Sequence, residues 1–182
     1  MNYIELSKEI SYALRHAPHE YGLELDAEGW VGIEQLIDGF KEKKGYKGIL
    51  EGDIINMIEA SKKKRHECFD GKIRALYGHS LEKKIVKDAK IPPAVLYHGT
   101  AKRFIESIME QGILAQKRQY VHFSEDIETA IIVGNRHDAT PVILKVDARS
   151  AHADGILFFH GGEKIWLSEL IPPQYLEINE AD

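Results

Sequence analysis

Residues 65–80, RHECFDGKIRALYGHS, contain the clearest turn signal in the chain. Asp70 and Gly71 separate two short runs in which apolar and polar residues partly alternate. An Asp-Gly pair between such runs is typical of the two-residue turn of a β-hairpin. We therefore predict a hairpin in this stretch.

Three segments with helical spacing precede the predicted hairpin: residues 4–14, 32–43 and 50–64. In each, apolar residues recur on one side of a 3.6-residue period. The positions expected to face a core are Ile4, Leu6, Ile10, Ala13, Leu14, Ile33, Leu36, Ile37, Phe40, Ile54, Ile55, Met57 and Ile58. Three helices followed by a hairpin form the pattern of a winged-helix module, which often binds nucleic acid, although a fold does not fix a function.

The second half of the chain has a different texture. A charged segment ends at Pro92-Pro93, and we place a boundary there, with one lobe at 1–90 and another at 91–182. Strand patterns then alternate with two helical patterns, at 101–114 and 126–136. In the first of these helices we expect Thr100 as the N-cap, Gly112 at the C-terminal end, and inward side chains at Phe104, Ile105, Ile108 and Met109. The fold class predicted is α+β, with a small, mainly antiparallel sheet in the second lobe.

Composition limits the environment and the partners. The 182 residues carry a formal net charge of −5, so any anionic substrate must meet a local cluster of cations. The single cysteine, Cys68, cannot form an intramolecular disulfide. The sequence has neither an apolar signal core nor a membrane-spanning run. We expect a cytoplasmic monomer that does not bind membranes.

Local cation clusters are present in the first lobe. Arg15 and His16 lie side by side where the first helix should end, a pairing that suits an anion bound next to a proton transfer. A solvated helix end with two cations is the alternative explanation of this pair. Lys62, Lys63, Lys64 and Arg65 adjoin the predicted hairpin. Around the hairpin, further groups that could contact phosphates are Lys72, Arg74, His79 and Ser80.

The second lobe has weaker signals. His98-Gly99-Thr100 stands between a strand and a helix, where free backbone N–H groups could receive phosphate or ribose oxygens, although an ordinary capped turn explains it equally well. Arg118 precedes the strand that carries His122 and Ser124. Gly134 and Arg136 follow the next helix. Neither common nucleotide fingerprint is present, and the nine histidines form no zinc-binding motif.

Several of these segments, taken together, resemble a known family. They resemble, in order and spacing, the RNA 2′-phosphotransferase family called Tpt1 or KptA, over nearly the whole chain. The segments that carry the resemblance are LSKEISYALRHAPHEYGLELDAEGWV, KKRHECFDGKIRALYGHS, LYHGT, QKRQYVHFSED, VGNRHD and IWLSELIPPQYL.

The resemblance implies a winged-helix RNA lobe followed by an ADP-ribosyltransferase-like lobe that binds NAD⁺ as a co-substrate, with no metal. Such an enzyme removes an internal 2′-phosphate from RNA, as at a tRNA splice junction. The 2′-phosphate displaces nicotinamide from NAD⁺, and the ribose 2″-oxygen then attacks phosphorus. The products implied are 2′-OH RNA and ADP-ribose 1″,2″-cyclic phosphate, formed through an ADP-ribosylated 2′-phospho-RNA intermediate.

The resemblance also implies roles for individual residues. The essential set falls on Arg15, His16, Arg65 and Arg118. The implied NAD-binding residues are His98, Gly99, Thr100, Ser124, Gly134 and Arg136. The RNA-binding residues expected in the first lobe are Lys64, Lys72, Arg74, His79 and Ser80. The sequence departs from the family pattern at His66, Leu76 and Tyr77, and in GGEKIWLS.

Two other functions stay open from the sequence. The same arginines could serve an ADP-ribosyltransferase that caps terminal phosphates of RNA or DNA and stops after the first step. A non-catalytic winged-helix protein that binds nucleic acid is the second alternative. Analysis of the products would separate all three.

Overall fold

The computed structural model describes residues 2–41, 43 and 45–179. The chain divides into two compact units, Met1–Lys87 and Asp88–Asp182, whereas the sequence analysis placed the boundary after residue 90. Each unit has its own apolar core. Residues 1, 42, 44 and 180–182, which fall in the predicted helix and lobe ranges, lie outside the described residues. Helices and small antiparallel sheets confirm the α+β class.

The first unit combines three helices with a three-stranded antiparallel sheet of order β1-β3-β2. A short 3-10 turn, Pro18–Tyr21, follows the first helix and ends at Gly22 in the left-handed region. The helices are α1 (Tyr3–Arg15), α2 (Ile33–Phe40) and α3 (Glu51–Ala60), and the strands are β1 (Val31–Gly32), β2 (His66–Phe69) and β3 (Lys72–Ala75). The three predicted helices and the predicted hairpin are confirmed.

The helix α1 buries four of the five predicted core positions, and Ile4 is the exception. Leu6, Ile10 and Ala13 follow i, i+4, i+7 spacing and are fully buried. Ile4 is 70% exposed, so its predicted inward position was wrong. Six residues before Ile10, it lies about 240° around the helix from that residue. The prediction for Ile55 was wrong for the same geometric reason, since it follows the buried Ile54 and points outward.

The hairpin has the turn that its sequence predicts. Asp70 and Gly71 both have positive φ, 47° and 69°, as a type I′ turn requires. Strand pairing starts at Phe69 and Lys72 and continues to His66 and Ala75. The Gly71 carbonyl also accepts a hydrogen bond from the Ile33 N–H at 2.9 Å, which fixes the hairpin against the start of α2.

The second unit is built on a six-stranded antiparallel sheet of order β11-β7-β4-β6-β9-β8, beside a two-stranded sheet of β10 and β5. Its strands are β4 (Val95–Thr100), β5 (Ile113–Leu114), β6 (Val121–Ser124), β7 (Val142–Asp147), β8 (Phe159–His160), β9 (Ile165–Ser168), β10 (Leu170–Ile171) and β11 (Leu176–Ile178). Its helices are α4 (Ile105–Gln111), α5 (Ile127–Gly134) and α6 (Ala148–Ala153).

The pairing between the two halves of the large sheet is narrow. Strand β4 pairs with β7 over six residues, and β6 pairs with β9 over four. The β4–β6 register contains the pair Tyr97–Ser124. The two halves form one continuous sheet that is joined by the short pairing of β4 with β6.

The segment after β4 corrects two predictions. Thr100 ends the strand and does not cap a helix, because Ala101 takes the N-cap position and Asp138 Oδ2 accepts from the Lys102 N–H at 3.2 Å. Phe104 and Met109 are exposed and not inward, because Ile105 and Ile108 carry the face that packs on the core and Phe104 and Met109 are their direct neighbours in sequence. Gly112 does end that helix, as predicted.

The helix α6 was not predicted, since its short alanine-containing stretch directly follows the apolar run of β7. Asp147 caps it by accepting from the Ser150 N–H. Among the described residues, no helix is long and apolar enough to cross a bilayer.

Candidate active site

A groove of about 660 Å³ in the first unit contains three of the four residues of the implied catalytic set. Arg15 ends α1, His16 is its C-cap residue, and Arg65 stands in the connection between α3 and β2. Five cations line the groove, and no carboxylate is among the residues that line it in the described part of the chain. The lining residues are Tyr3, Ile4, Ser7, Lys8, Ser11, Tyr12, Arg15, His16, Met57, Ala60, Ser61, Lys62, Lys63 and Arg65.

Arg15 is held from two sides. Its Nη2 donates to the carbonyl oxygen of Arg65 at 3.3 Å, which ties the end of α1 to the α3–β2 connection. Its guanidinium carbon lies 5.1 Å from the centroid of the Tyr77 ring, and the Lys63 Nζ lies 5.6 Å from the same centroid. Cation–π attraction at these distances keeps both cations near one aromatic ring. Tyr77, which departs from the family pattern, thus supports Arg15 in this chain.

His16 is exposed, and Ser80 orients it. The Nδ1 atom of His16 and the Ser80 Oγ are 2.8 Å apart. The Ser80 N–H also donates to the Arg15 carbonyl at 3.0 Å. Ser80 therefore bonds to both residues of the Arg15-His16 pair. Because the imidazole is bonded through Nδ1, its Nε2 atom points away from Ser80.

His66 lies beneath the two arginines. Only 3% of its surface is exposed, and its Nε2 lies 2.9 Å from the Oγ of Ser11 on α1. Burial, followed by the charges of Arg15 and Arg65, lowers the pKa of His66 to about 3. A neutral imidazole at this position adds no third cation, and its bond to Ser11 links β2 to the helix that carries Arg15.

The predicted RNA contacts of the hairpin region have mixed surroundings. Lys64 donates from Nζ to the Ile58 carbonyl at 3.1 Å, and Lys72 is exposed at the start of β3. Arg74 pairs with Glu67 on the neighbouring strand, and its guanidinium carbon lies 4.3 Å from the Trp30 ring centroid. These internal partners occupy much of Arg74, whereas Lys72 stays accessible. RNA contact by these three residues stays a prediction.

His79 is a buried residue next to the site. Its exposed fraction is 3%, and burial, with the charge of Lys87 next, lowers its pKa to about 3. Its Nε2 has no hydrogen-bond partner among the described residues. So little exposed surface fits a structural role better than RNA contact, which stays an untested prediction.

In the second unit, His98 lies on β4 and faces a backbone carbonyl of the neighbouring strand β6. Its Nδ1 lies 2.9 Å from the His122 carbonyl oxygen and must donate, because a carbonyl only accepts. Burial lowers the pKa of His98, the His122 bond raises it, and the charge of His137 lowers it, with burial the largest influence. The ring is then neutral and protonated at Nδ1, so Nε2 can accept a hydrogen bond from a ligand hydroxyl.

Gly99 and Gly134 have a packing role. A Cβ atom on Gly99 would lie 2.0 Å from the Ala130 carbonyl oxygen, and one on Gly134 would lie 2.6 Å from the Pro141 Cβ. The two glycines let α5 pack directly against β4. Of the other predicted NAD contacts, Thr100 and Ser124 are buried, and Arg136 is exposed. Contact of these residues with NAD stays a prediction.

Arg118, the fourth member of the implied catalytic set, belongs to the second unit. It lies in the loop between β5 and β6, where its N–H donates to the Ala115 carbonyl at 3.0 Å. Its side chain is exposed to solvent. Its catalytic role stays a prediction.

Sequence reasoning did not identify Ser11 or Tyr12 as residues of the groove. Both belong to rows of residues spaced by four along α1, which end at Arg15 and His16. Extending the i, i+4 pattern backwards from the Arg15-His16 pair would have found them. Among the described residues, no group of three or more His, Cys, Asp or Glu side chains is arranged to hold a metal ion.

Comparison with known proteins identifies the family of the chain. Residues 2–170 match the family described as RNA 2′-phosphotransferase, Tpt1/KptA. A protein of Acetivibrio thermocellus named Probable RNA 2′-phosphotransferase is 56% identical over 176 residues, covering 97% of each chain. Proteins with the same name from Bacillus thuringiensis subsp. konkukian and Pectobacterium atrosepticum are 50% and 45% identical, covering 98% and 95% of this chain and 96% of each relative. The chain therefore belongs to the Tpt1/KptA family of RNA 2′-phosphotransferases.

Proposed function

We propose that this chain is an NAD-dependent RNA 2′-phosphotransferase that transfers an internal 2′-phosphate from RNA, of the type left at a tRNA splice junction, to NAD⁺. The observation that carries the proposal is the position of Arg15, His16 and Arg65 along one cationic groove. Family membership supports the class of reaction. The use of NAD⁺ rests on the resemblance and on the chemistry of the second unit.

The first step joins the RNA phosphate to ADP-ribose. An oxygen of the 2′-phosphate attacks C1″ of the nicotinamide ribose, and the bond from C1″ to nicotinamide breaks. Nicotinamide leaves with the electron pair, which neutralises its ring. The phosphate is already anionic, so no proton has to move, and holding the two reactants in line contributes most.

The second step releases the RNA. The ribose 2″-oxygen attacks phosphorus, and the bond from phosphorus to the RNA 2′-oxygen breaks. Two products form: ADP-ribose 1″,2″-cyclic phosphate and RNA with a 2′-hydroxyl. The 2″-hydroxyl must lose a proton and the RNA oxygen must gain one.

His16 is the group proposed to accept the proton of the 2″-hydroxyl. In the tautomer in which the Nδ1–H of His16 donates to the Ser80 hydroxyl, Nε2 is the proton acceptor. Arginine cannot serve as the base, because it stays protonated. Arg15 and Arg65, with Arg118 as a third member, would instead bind the nonbridging oxygens as charge develops. Loss of one such donor commonly costs about 2 to 4 kcal/mol of transition-state stabilisation.

The second unit has groups that suit NAD⁺. The Nε2 atom of His98 is an acceptor for a ribose hydroxyl, since its Nδ1 is occupied by the His122 carbonyl. The exposed Arg136 offers a cation for the pyrophosphate. A hydrogen-bond acceptor for a hydroxyl, together with a cation for a phosphate, suits a dinucleotide better than an uncharged ligand.

One incubation tests the proposal. The protein is mixed with NAD⁺ and an RNA that carries one internal 2′-phosphate, and the products are separated by chromatography. We expect nicotinamide, 2′-OH RNA and ADP-ribose 1″,2″-cyclic phosphate. His16→Ala should block the second step, and His19→Ala, at an exposed histidine outside the groove lining, serves as the control. Release of the phosphate as inorganic phosphate, or turnover without NAD⁺, would refute the proposal.

The same incubation tests the two alternatives. A stable ADP-ribosylated RNA end, formed from a terminally phosphorylated RNA without cyclic phosphate, would identify a capping enzyme. Absence of nicotinamide release from any RNA would favour a binding protein without catalytic activity.

A further inference from the structure

The groove that holds Arg15 and His16 continues well beyond them. Two adjacent rows of α1 line it, each with a residue in every fourth position. The first row is Tyr3, Ser7, Ser11 and Arg15, and the second is Ile4, Lys8, Tyr12 and His16. From residue 3 to residue 15 the helix rises about 18 Å, so the phosphate-handling pair stands at one end of a long surface.

The opposite wall comes from the end of α3 and the connection to β2. Ala60 provides exposed apolar surface, and Lys62 and Lys63 provide positive charge. The groove thus combines apolar surface and hydroxyl groups with cations, and no lining residue within the described chain is acidic. Glu5 forms an ion pair with Lys8 at 2.8 Å but does not line the groove, and both side chains are mostly exposed.

Tyr12 supplies an aromatic surface in the middle of the groove. Its ring is 42% exposed, and its hydroxyl donates to Glu20 Oε1 at 2.8 Å, which fixes the ring orientation. The centroids of the Tyr12 and His16 rings are 6.2 Å apart. A fixed, exposed ring next to a phosphate-binding cluster is the arrangement on which single-stranded nucleic acids stack their bases.

We propose that this groove binds the single-stranded RNA nucleotides that flank the 2′-phosphorylated nucleotide on one side. This inference rests on the proposed function, because it takes Arg15 and His16 as the position of the 2′-phosphate. At the spacing of about 3.4 Å between stacked bases, 18 Å holds at most about five nucleotides. The RNA phosphates contact Lys8, Lys62 and Lys63, and one base stacks on Tyr12. The groove is one-sided, since it runs away from the His16 end of α1 in one direction.

Binding without NAD⁺ tests this inference separately from catalysis. The probes are 2′-phosphorylated UpU and two longer forms, with four uridines added on the 5′ side or on the 3′ side. Dissociation constants are measured by calorimetry, and turnover with NAD⁺ is measured in parallel. We expect one extension to tighten binding about tenfold and the other less than twofold, which is the gain expected from one or two stacked bases and added phosphate contacts.

Lysine variants connect the gain to the groove. Lys8→Ala and Lys62→Ala should each remove at least half of the gain in binding free energy, and each should lower the slope of log Kd against log salt by about 0.7. Lys47→Ala, at an exposed lysine outside the groove lining, should retain the full gain. Tyr12→Ala should reduce the gain without changing the salt slope.

Equal gains on both sides, no gain, or equal effects of Lys8→Ala and Lys47→Ala would overturn the inference. Absence of turnover with NAD⁺, alongside one-sided binding that depends on Lys8, would instead refute the proposed reaction alone.

Discussion

Acid should destabilise the first unit through its two buried histidines. Burial lowers the pKa of His66 and of His79 to about 3, from an ordinary value of 6.5. Between these values the unfolded chain binds protons that the folded chain cannot, so the free energy of unfolding falls as pH falls from 6.5 towards 3. At pH 5, which is 1.5 units below the pKa of histidine in the unfolded chain, each buried histidine lowers the free energy of unfolding by about 2 kcal/mol.

Together the two histidines should remove about 4 kcal/mol at pH 5, a large share of the roughly 5 to 15 kcal/mol that stabilises a typical domain. The change that isolates one of them is His66→Gln, because the glutamine amide can still reach the Ser11 hydroxyl but does not titrate. The variant should lose about 2 kcal/mol less than the parent between pH 7 and pH 5. His98 acts in the same direction in the second unit and cancels in this comparison.

The assay is urea unfolding at pH 7 and pH 5, followed by tryptophan fluorescence in a Trp166→Phe background. Trp30 is then the remaining tryptophan, and it reports on the first unit. His19→Gln, at an exposed imidazole of the same unit, is the control and should keep the pH dependence of the parent. The same pH dependence in His66→Gln and in the parent would refute the assignment of His66 as a buried neutral group.

Three further changes test the site and its frame. Ser80→Ala should lower kcat about tenfold and shift its pH profile by releasing the His16 ring, with Ser80→Thr restoring both, and an unchanged profile would contradict the orienting role. Arg65→Ala and Arg118→Ala should each slow single-turnover transfer about 10²-fold or more while changing NAD⁺ affinity only slightly, and equal losses in both quantities would count against them as transition-state ligands. Gly99→Ala should destabilise the second unit by about 3 kcal/mol or more in thermal unfolding, because its Cβ would overlap the Ala130 carbonyl, whereas Gly52→Ala, with open space around it, should stay within about 1 kcal/mol.

The elements with strong local signals were predictable from sequence. The hairpin follows from Asp70-Gly71, because only a few residue types adopt positive φ in both turn positions. The helices of the first unit and most of their buried faces follow from the apolar period. The exposure of Ile4 does not, because Ile4 and Leu6 are equally apolar and tertiary packing selects between them. The 3-10 turn after Thr100 was also missed, since its N–H partner, Asp138, is distant in sequence.

The candidate site was predictable in its residues but not in its supports. The catalytic set came from a resemblance to a family, since the spacing of the Arg15-His16 pair alone favoured a solvated helix end. The bonds from Ser80 to this pair join residues more than 60 positions apart, which no local pattern reveals. The same holds for Tyr77 and His66, which looked like departures from a pattern and contact α1 in the folded chain.

Ser80 bonds to two consecutive residues at the end of α1, through its N–H to the Arg15 carbonyl and through its Oγ to the His16 ring. The positions of Arg15 and His16 therefore both depend on Ser80. Gly78, two residues earlier, has a φ of 89° that favours glycine, and this fixes how the chain leaves the hairpin. A displacement of that exit would therefore carry both side chains in the same direction and preserve their spacing. The hairpin thereby helps to align Arg15 and His16. A shift in the register of its strands would displace both side chains together and would not remove one of them alone.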